Sequence, residues 1–139
     1  MIILDASVLI AHLDGRDAHH ERARELLTAN AGTPFGASTI SLAETLVGPA
    51  RSGKSRLARD ALDRLAVAEL AFGGDASARL ASLRAETGLK LPDCCVLLAA
   101  RDHDGAVASF DMDLTRRAQE LGLAVAKSGE GGIRTHEAG

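Results

Sequence analysis

Tryptophan and tyrosine are absent, and phenylalanine occurs only three times in 139 residues. That scarcity excludes the aromatic platforms on which RRM and OB-fold proteins stack bases. Basic charge is not in excess either: 16 Lys and Arg stand against 19 Asp and Glu, giving a formal charge of -3 and a pI near 5.9. A generic basic coat for nucleic acid is thereby excluded, and any nucleic acid must be engaged locally. Long apolar runs are missing too. The longest, residues 94–100, is far short of the roughly 20 residues that a membrane-spanning helix needs. Residues 1–4 are apolar, but Asp5 follows at once with no basic segment or small-residue cleavage site around it. Neither secretion nor membrane insertion is expected, which leaves the cytoplasm as the expected location. The two cysteines, Cys94 and Cys95, are adjacent, and helix neighbours diverge by about 100°. They suit neither a disulfide nor a shared metal, so buried reduced thiols are expected.

What remains is ordinary globular composition, 46% hydrophobic and 25% charged, at a length that fits one domain. Short apolar runs alternate with amphipathic segments, the pattern of α/β proteins with a parallel sheet. Five runs read as strands: 1–4, 34–39, 67–72, 106–110 and 123–126. Between them, residues 19–30 put Ala23, Leu26 and Leu27 on one helical face. Ser41 followed by Glu44 has capping-box spacing, ahead of Ile40, Ala43, Leu46 and Val47 at helical period. Residues 54–65 predict a helix with Leu57, Ala61, Leu62 and Leu65 inward. Asp75 is placed to cap a helix that stops at Gly88, and Leu91-Pro92-Asp93 opens another with Pro in its first turn. A further helix spans 114–121. Residues 1–127 form the domain, and the Gly-rich segment 128–139 is expected to be a disordered tail.

Four carboxylates fall at informative places: Asp5 after the first strand, Glu44 in a helix, Asp93 at a helix start and Asp111 after a late strand. Ligands of open parallel sheets bind at the carboxyl ends of the strands, so Asp5 and Asp111 would share a crevice if their strands are neighbours. Carboxylates gathered there repel unless a divalent cation neutralises them, and hard oxygen ligands select Mg²⁺ or Mn²⁺ over zinc. Such a site is suited to metal-assisted hydrolysis of a phosphodiester. Each acid also has a local alternative: Asp93 as a helix cap, Glu44 as the partner in a capping box, Asp5 and Asp111 as turn residues after strands.

The segments Ile3-Leu4-Asp5-Ala6-Ser7-Val8-Leu9-Ile10, Ser41-Leu42-Ala43-Glu44, Leu91-Pro92-Asp93 and Ser109-Phe110-Asp111, in this order and spacing, resemble the PIN-domain ribonucleases, in particular VapC-type toxins of toxin–antitoxin pairs. The resemblance covers residues 1 to about 126. It implies a three-layer α/β/α fold around a mainly parallel sheet of about five strands. It also implies a metal-dependent endoribonuclease with Mg²⁺ or Mn²⁺ held by Asp5, Glu44, Asp93 and Asp111. Ser7 matches the hydroxyl beside the first acid, and Asp113 is an accessory acid or else the N-cap of the last helix. RNA as substrate, a cognate antitoxin and a homodimer are implied as partners. Arg51, Lys54 and Arg56, on a solvated basic face, are candidates for contact with RNA phosphates.

Two alternatives compete. Residues 48–55 match G-x-x-x-x-G-K-[ST] through Gly48, Gly53, Lys54 and Ser55, the signature of a nucleotide-binding loop. The preceding segment has helical rather than strand period, and Pro49 removes an amide from the loop. A non-catalytic scaffold of the same fold is the other alternative, although a scaffold has no need of mutually repelling acids. A haloacid-dehalogenase site lacks its second Asp where Ser7 stands, the only G-x-G lies in residues 129–131, and the histidines His12, His19, His20, His103 and His136 show no zinc spacing.

Overall fold

An apolar strand of three residues has to be covered on both faces, and β1 (Ile2–Leu4) is. The protein is described here from a computed structural model over residues 1–127; the segment expected as a tail, 128–139, lies outside the described residues. Ile2 and Leu4 point into one core with Val8, Leu9, Leu26, Leu27, Leu42 and Leu62, while Ile3 points into another with Leu83, Leu97, Val107 and Leu114. The alternation is the period of two expected of a strand.

β1 pairs in parallel with β2 (Phe35–Ser38) and β4 (Ala106–Ala108), and β2 with β3 (Ala68–Leu70). The order is β3-β2-β1-β4. Helices α1 (Ala6–Leu13), α2 (His20–Ala29), α3 (Thr39–Arg51) and α4 (Ser55–Arg64) supply the first core, and α5 (Ala76–Thr87), α6 (Leu91–Asp102) and α7 (Met112–Glu120) the second. The fold is thus three-layered α/β/α, as expected. The chain runs outward from β1 to β3 and then returns to the other side of β1, so the order of strands reverses between β1 and β4. Such a reversal opens a crevice at the carboxyl ends of the two strands. α6 packs against β1, β2 and β4 with Cys94 through Ala100 all buried. Both thiols are free, as expected, and burial pushes Cys95 up to about 11.

Several expectations are corrected. Among the described residues the sheet has four strands where about five were expected: the segment 123–126 contributes one parallel bridge, Val125 to Val107, with amide bonds of 2.8 Å on either side. α3 starts earlier than predicted, because Ser38 and not Ser41 is its N-cap; the Ser41 amide donates to Ser38 Oγ at 3.1 Å. Its buried face is Ser41, Leu42 and Thr45, while Ile40 and Val47 are 40% and 44% exposed. Burying a polar face is tolerable here because Ser38 Oγ donates to Ser41 Oγ and Thr45 Oγ1 to the Ser41 carbonyl. Leu57 points outward at 66% exposure; Ala58 takes the inward position beside Leu62. Asp75 stands at the N-cap of α5 without a side-chain capping bond, and Gly88 ends that helix in the left-handed region at φ 74. The N-cap of α7 is Asp111, not Asp113. Residues 48–51 belong to the last turn of α3, Pro49 included. No strand leads into that segment, so the phosphate-cradling loop is not formed.

Candidate metal centre at the β1–β4 edge

Asp5 follows β1 and stands at the N-cap position of α1, yet its carboxylate makes no capping bond. Instead Oδ2 accepts from Ser7 Oγ at 2.8 Å and from Ser109 Oγ at 2.6 Å, and the residue is only 8% exposed. The same two hydroxyls knit the β4 tip to the β1 tip: the Phe110 amide donates to Ser7 Oγ at 3.1 Å and the Asp111 amide to Ser109 Oγ at 2.9 Å. One oxygen of Asp5 is therefore committed to orientation, and the other is left for a ligand. Asp111 is divided in the same way. Its Oδ1 caps α7 by accepting from the Asp113 and Leu114 amides at 2.9 and 3.2 Å.

Asp93 lies in the first turn of α6, whose N-cap is Lys90 without a side-chain bond. Its carboxyl is pushed up to about 6, first by burial and then by Asp5, Asp111 and Glu44, with Lys90 pulling the other way. Glu44 is raised as well, by burial and by Asp5, again opposed by Lys90. Asp5, Asp111 and Glu44 thus all act electrostatically on Asp93, and Asp5 acts on Glu44. With Ser38 as the cap of α3, Glu44 is free of a capping box and feels the charge of Asp5. Of the local alternatives, neither the cap at Asp93 nor the capping box at Glu44 is formed, and Asp111, expected at most as a turn residue, caps α7. Among the described residues no three His, Cys, Asp or Glu side chains form a ready-made metal cage.

The remaining expected residues separate. Asp113 turns to the outer face of α7, where it pairs with Arg116 at 3.2 Å. Arg51, Lys54 and Arg56 are exposed around the α3–α4 turn. From Thr39 at the carboxyl edge to Arg51 is about 18 Å along the helix axis, at 1.5 Å per residue. The structure does not bring them to the carboxylates. Ser109, to which the sequence assigned no role, binds Asp5 instead, and the exposed Lys90, likewise unassigned, acts electrostatically on Asp93 and Glu44. The signal for Ser109 was available: two residues before Asp111 at the tip of β4, it mirrors Ser7, two residues after Asp5 at the tip of the adjacent β1.

The family profile of the PIN domain matches residues 2–120. The chain belongs to the PIN domain family. All four acids fall within the matched span. Among solved structures, this PIN domain is similar to a chain of a toxin–antitoxin complex from Klebsiella pneumoniae, with 25% identity and a TM-score of 0.66 over 81% of this chain and 88% of that one. It is also similar to VapC20 of Mycobacterium tuberculosis, a sarcin-ricin loop cleaving toxin, at 22% identity and TM-score 0.69 over 84% and 95% of the two chains. FitAcB of Neisseria gonorrhoeae aligns at 23% identity and TM-score 0.68 over 91% and 96%. The resemblance to PIN domains is borne out by the profile, and the fold by these neighbours. A comparison with curated proteins finds no match. No helix of the described residues is long and apolar enough to cross a membrane.

Proposed function

We propose that this PIN domain is a metal-dependent endoribonuclease and the toxin of a toxin–antitoxin pair, acting in the cytoplasm and restrained by its cognate antitoxin. One observation carries the reading: Asp93 is held near 6 by burial and by three further carboxylates at a strand reversal. An arrangement that costs stability in the empty protein is explained by a cation that offsets it. The donor set fits Mg²⁺ or Mn²⁺, being all oxygen. The lack of a three-ligand cage suits Mg²⁺ in particular, which keeps several waters and takes one or two carboxylates together with substrate phosphate.

When bound, the ion supplies positive charge that polarises a phosphoryl oxygen and lowers the pKa of water. The chain's own groups prepare its place. Ser7 and Ser109 hold Asp5 by Oδ2, and the α7 amides hold Asp111 by Oδ1, which leaves one oxygen of each directed by a fixed carboxyl plane. Asp93 and Glu44 complete the negative well, and Asp93 has to lose its proton before it contributes. Arg51, Lys54 and Arg56, at the far end of α3, serve RNA only away from the cut. The neighbours described as toxins and toxin–antitoxin complexes support both the nuclease reading and the antitoxin partner.

The test is digestion of end-labelled total RNA by the purified protein with Mn²⁺, Mg²⁺ or EDTA, alongside Asp93→Asn with its fold checked by circular dichroism. Discrete cuts that need the ion and vanish in the variant are expected. Equal cutting by the variant, or no cutting together with no ion binding by calorimetry, would leave the scaffold reading in its place.

A further inference from the structure

Four carboxylates on a chain of net charge -3 repel the backbone of an RNA, so the cleavage site needs a cation close by. The tip of β4 provides for one. Arg22 of α2 lays its guanidinium over the Phe110 ring, with Cζ 4.6 Å from the centroid, and the His19 ring tilts against the same Phe at 5.3 Å. Phe110 is half-buried against the core that contains Leu4 and Val8. Its amide is tied to Ser7 Oγ, which donates in turn to Asp5. Arg22 is thereby placed relative to the first carboxylate through a ring and two hydrogen bonds.

Its donors are unspent. Arg22 is exposed and, among the described residues, pairs with no carboxylate, whereas Arg24 one turn-face away binds Glu21 at 3.2 Å. A ring holds a guanidinium by its face and leaves the N–H fork directed outward, which an ion pair would not. That fork matches two oxygens of a phosphate. We infer that Arg22 is an RNA-phosphate subsite that takes a backbone phosphate neighbouring the scissile one, with Phe110 as its positioning residue. The inference rests on the endoribonuclease reading. It asks no base stacking of Phe110, whose exposed face is already covered by Arg22.

The experiment is steady-state cleavage, with Mn²⁺, of a short labelled RNA spanning a cut mapped in total RNA, over a series of salt concentrations. Arg22→Gln raises KM about tenfold, the usual scale of a lost charge-assisted bond, with kcat little changed. It also lowers the slope of log(1/KM) against log salt by about 0.7, the value of one single-strand phosphate contact. Arg22→Lys keeps the salt slope with an intermediate KM. Phe110→Leu raises KM in the same direction, and Arg24→Gln matches wild type. Wild-type KM and salt slope in Arg22→Gln, or an equal loss in Arg24→Gln, would overturn the subsite. If wild type cuts and Asp93→Asn does not while Arg22→Gln matches wild type, only the subsite fails; if wild type cuts nothing, the endoribonuclease reading fails and takes the subsite with it.

Discussion

Two regions of this PIN domain carry residues suited to phosphate chemistry: the carboxyl edge between β1 and β4, and residues 48–55 at the α3–α4 turn. The second has the sharper motif, yet its first glycine and its proline are absorbed into the end of α3 and its Lys54 is an exposed N-cap residue of α4. The first has no motif of comparable precision. Its acids are scattered over more than a hundred residues of sequence and meet only because the strand order reverses between β1 and β4. Topology, rather than a local string of residues, assembles the site.

The two regions are expected to differ most in activity. Asp5→Asn or Asp93→Asn is expected to reduce RNA cleavage by at least about a hundredfold, the scale of losing a principal electrostatic group, while Lys54→Ala leaves it near wild type. A loss in Lys54→Ala matching that in Asp93→Asn would reverse the roles of the two regions. Next in size is the response to ligand. Mg²⁺ or Mn²⁺ at a hundred times its Kd should stabilise wild type by about 2.7 kcal/mol, read as a rise in Tm that Asp93→Asn largely lacks. ATP should raise the Tm of neither.

Within the acidic edge the next effect is that of Ser109→Ala. Removing a hydroxyl that orients Asp5 at 2.6 Å should cost about tenfold in cleavage, as loss of a supporting partner of a metal ligand does, with little change in Tm. The smallest effect belongs to the other region. Lys54→Ala, at an exposed position without an ion pair among the described residues, should shift stability by no more than about 0.5 kcal/mol in thermal or urea melts.

Much of this was legible in sequence, and the reasons are particular. Periodicity placed Ala23, Leu26 and Leu27 inward because α2 has one apolar stripe, and Gly88 and Pro92 marked helix ends by backbone constraints that do not depend on context. Asp5 and Asp111 were legible as strand-tip acids. α1 was not, since its sequence is apolar on nearly every side and shows no stripe to find. The inner face of α3 was misread because a buried row of Ser38, Ser41 and Thr45, satisfied by its own hydrogen bonds, looks like a solvent face in sequence. The last strand shrank to a bridge at the sheet edge, where one neighbour is enough to hold the chain without a ladder. Lys90 carries no such signal, and the mirror position of Ser109 to Ser7 takes on meaning only once β1 and β4 are known to be adjacent.

The convergence of the four acids is tested most directly by a carboxyl NMR titration of Asp93 in the metal-free protein. Its pKa lies above the ordinary 3.8, so between roughly 4 and 6 the native state holds more protons than the unfolded one. The stability that Asp93 contributes is then full below about pH 4 and is lost as pH rises through 6. The account predicts a midpoint near 6, moved down by Asp5→Asn and further down by added Mg²⁺. A midpoint near 3.8 that ignores both would mean that the carboxylates do not share a site.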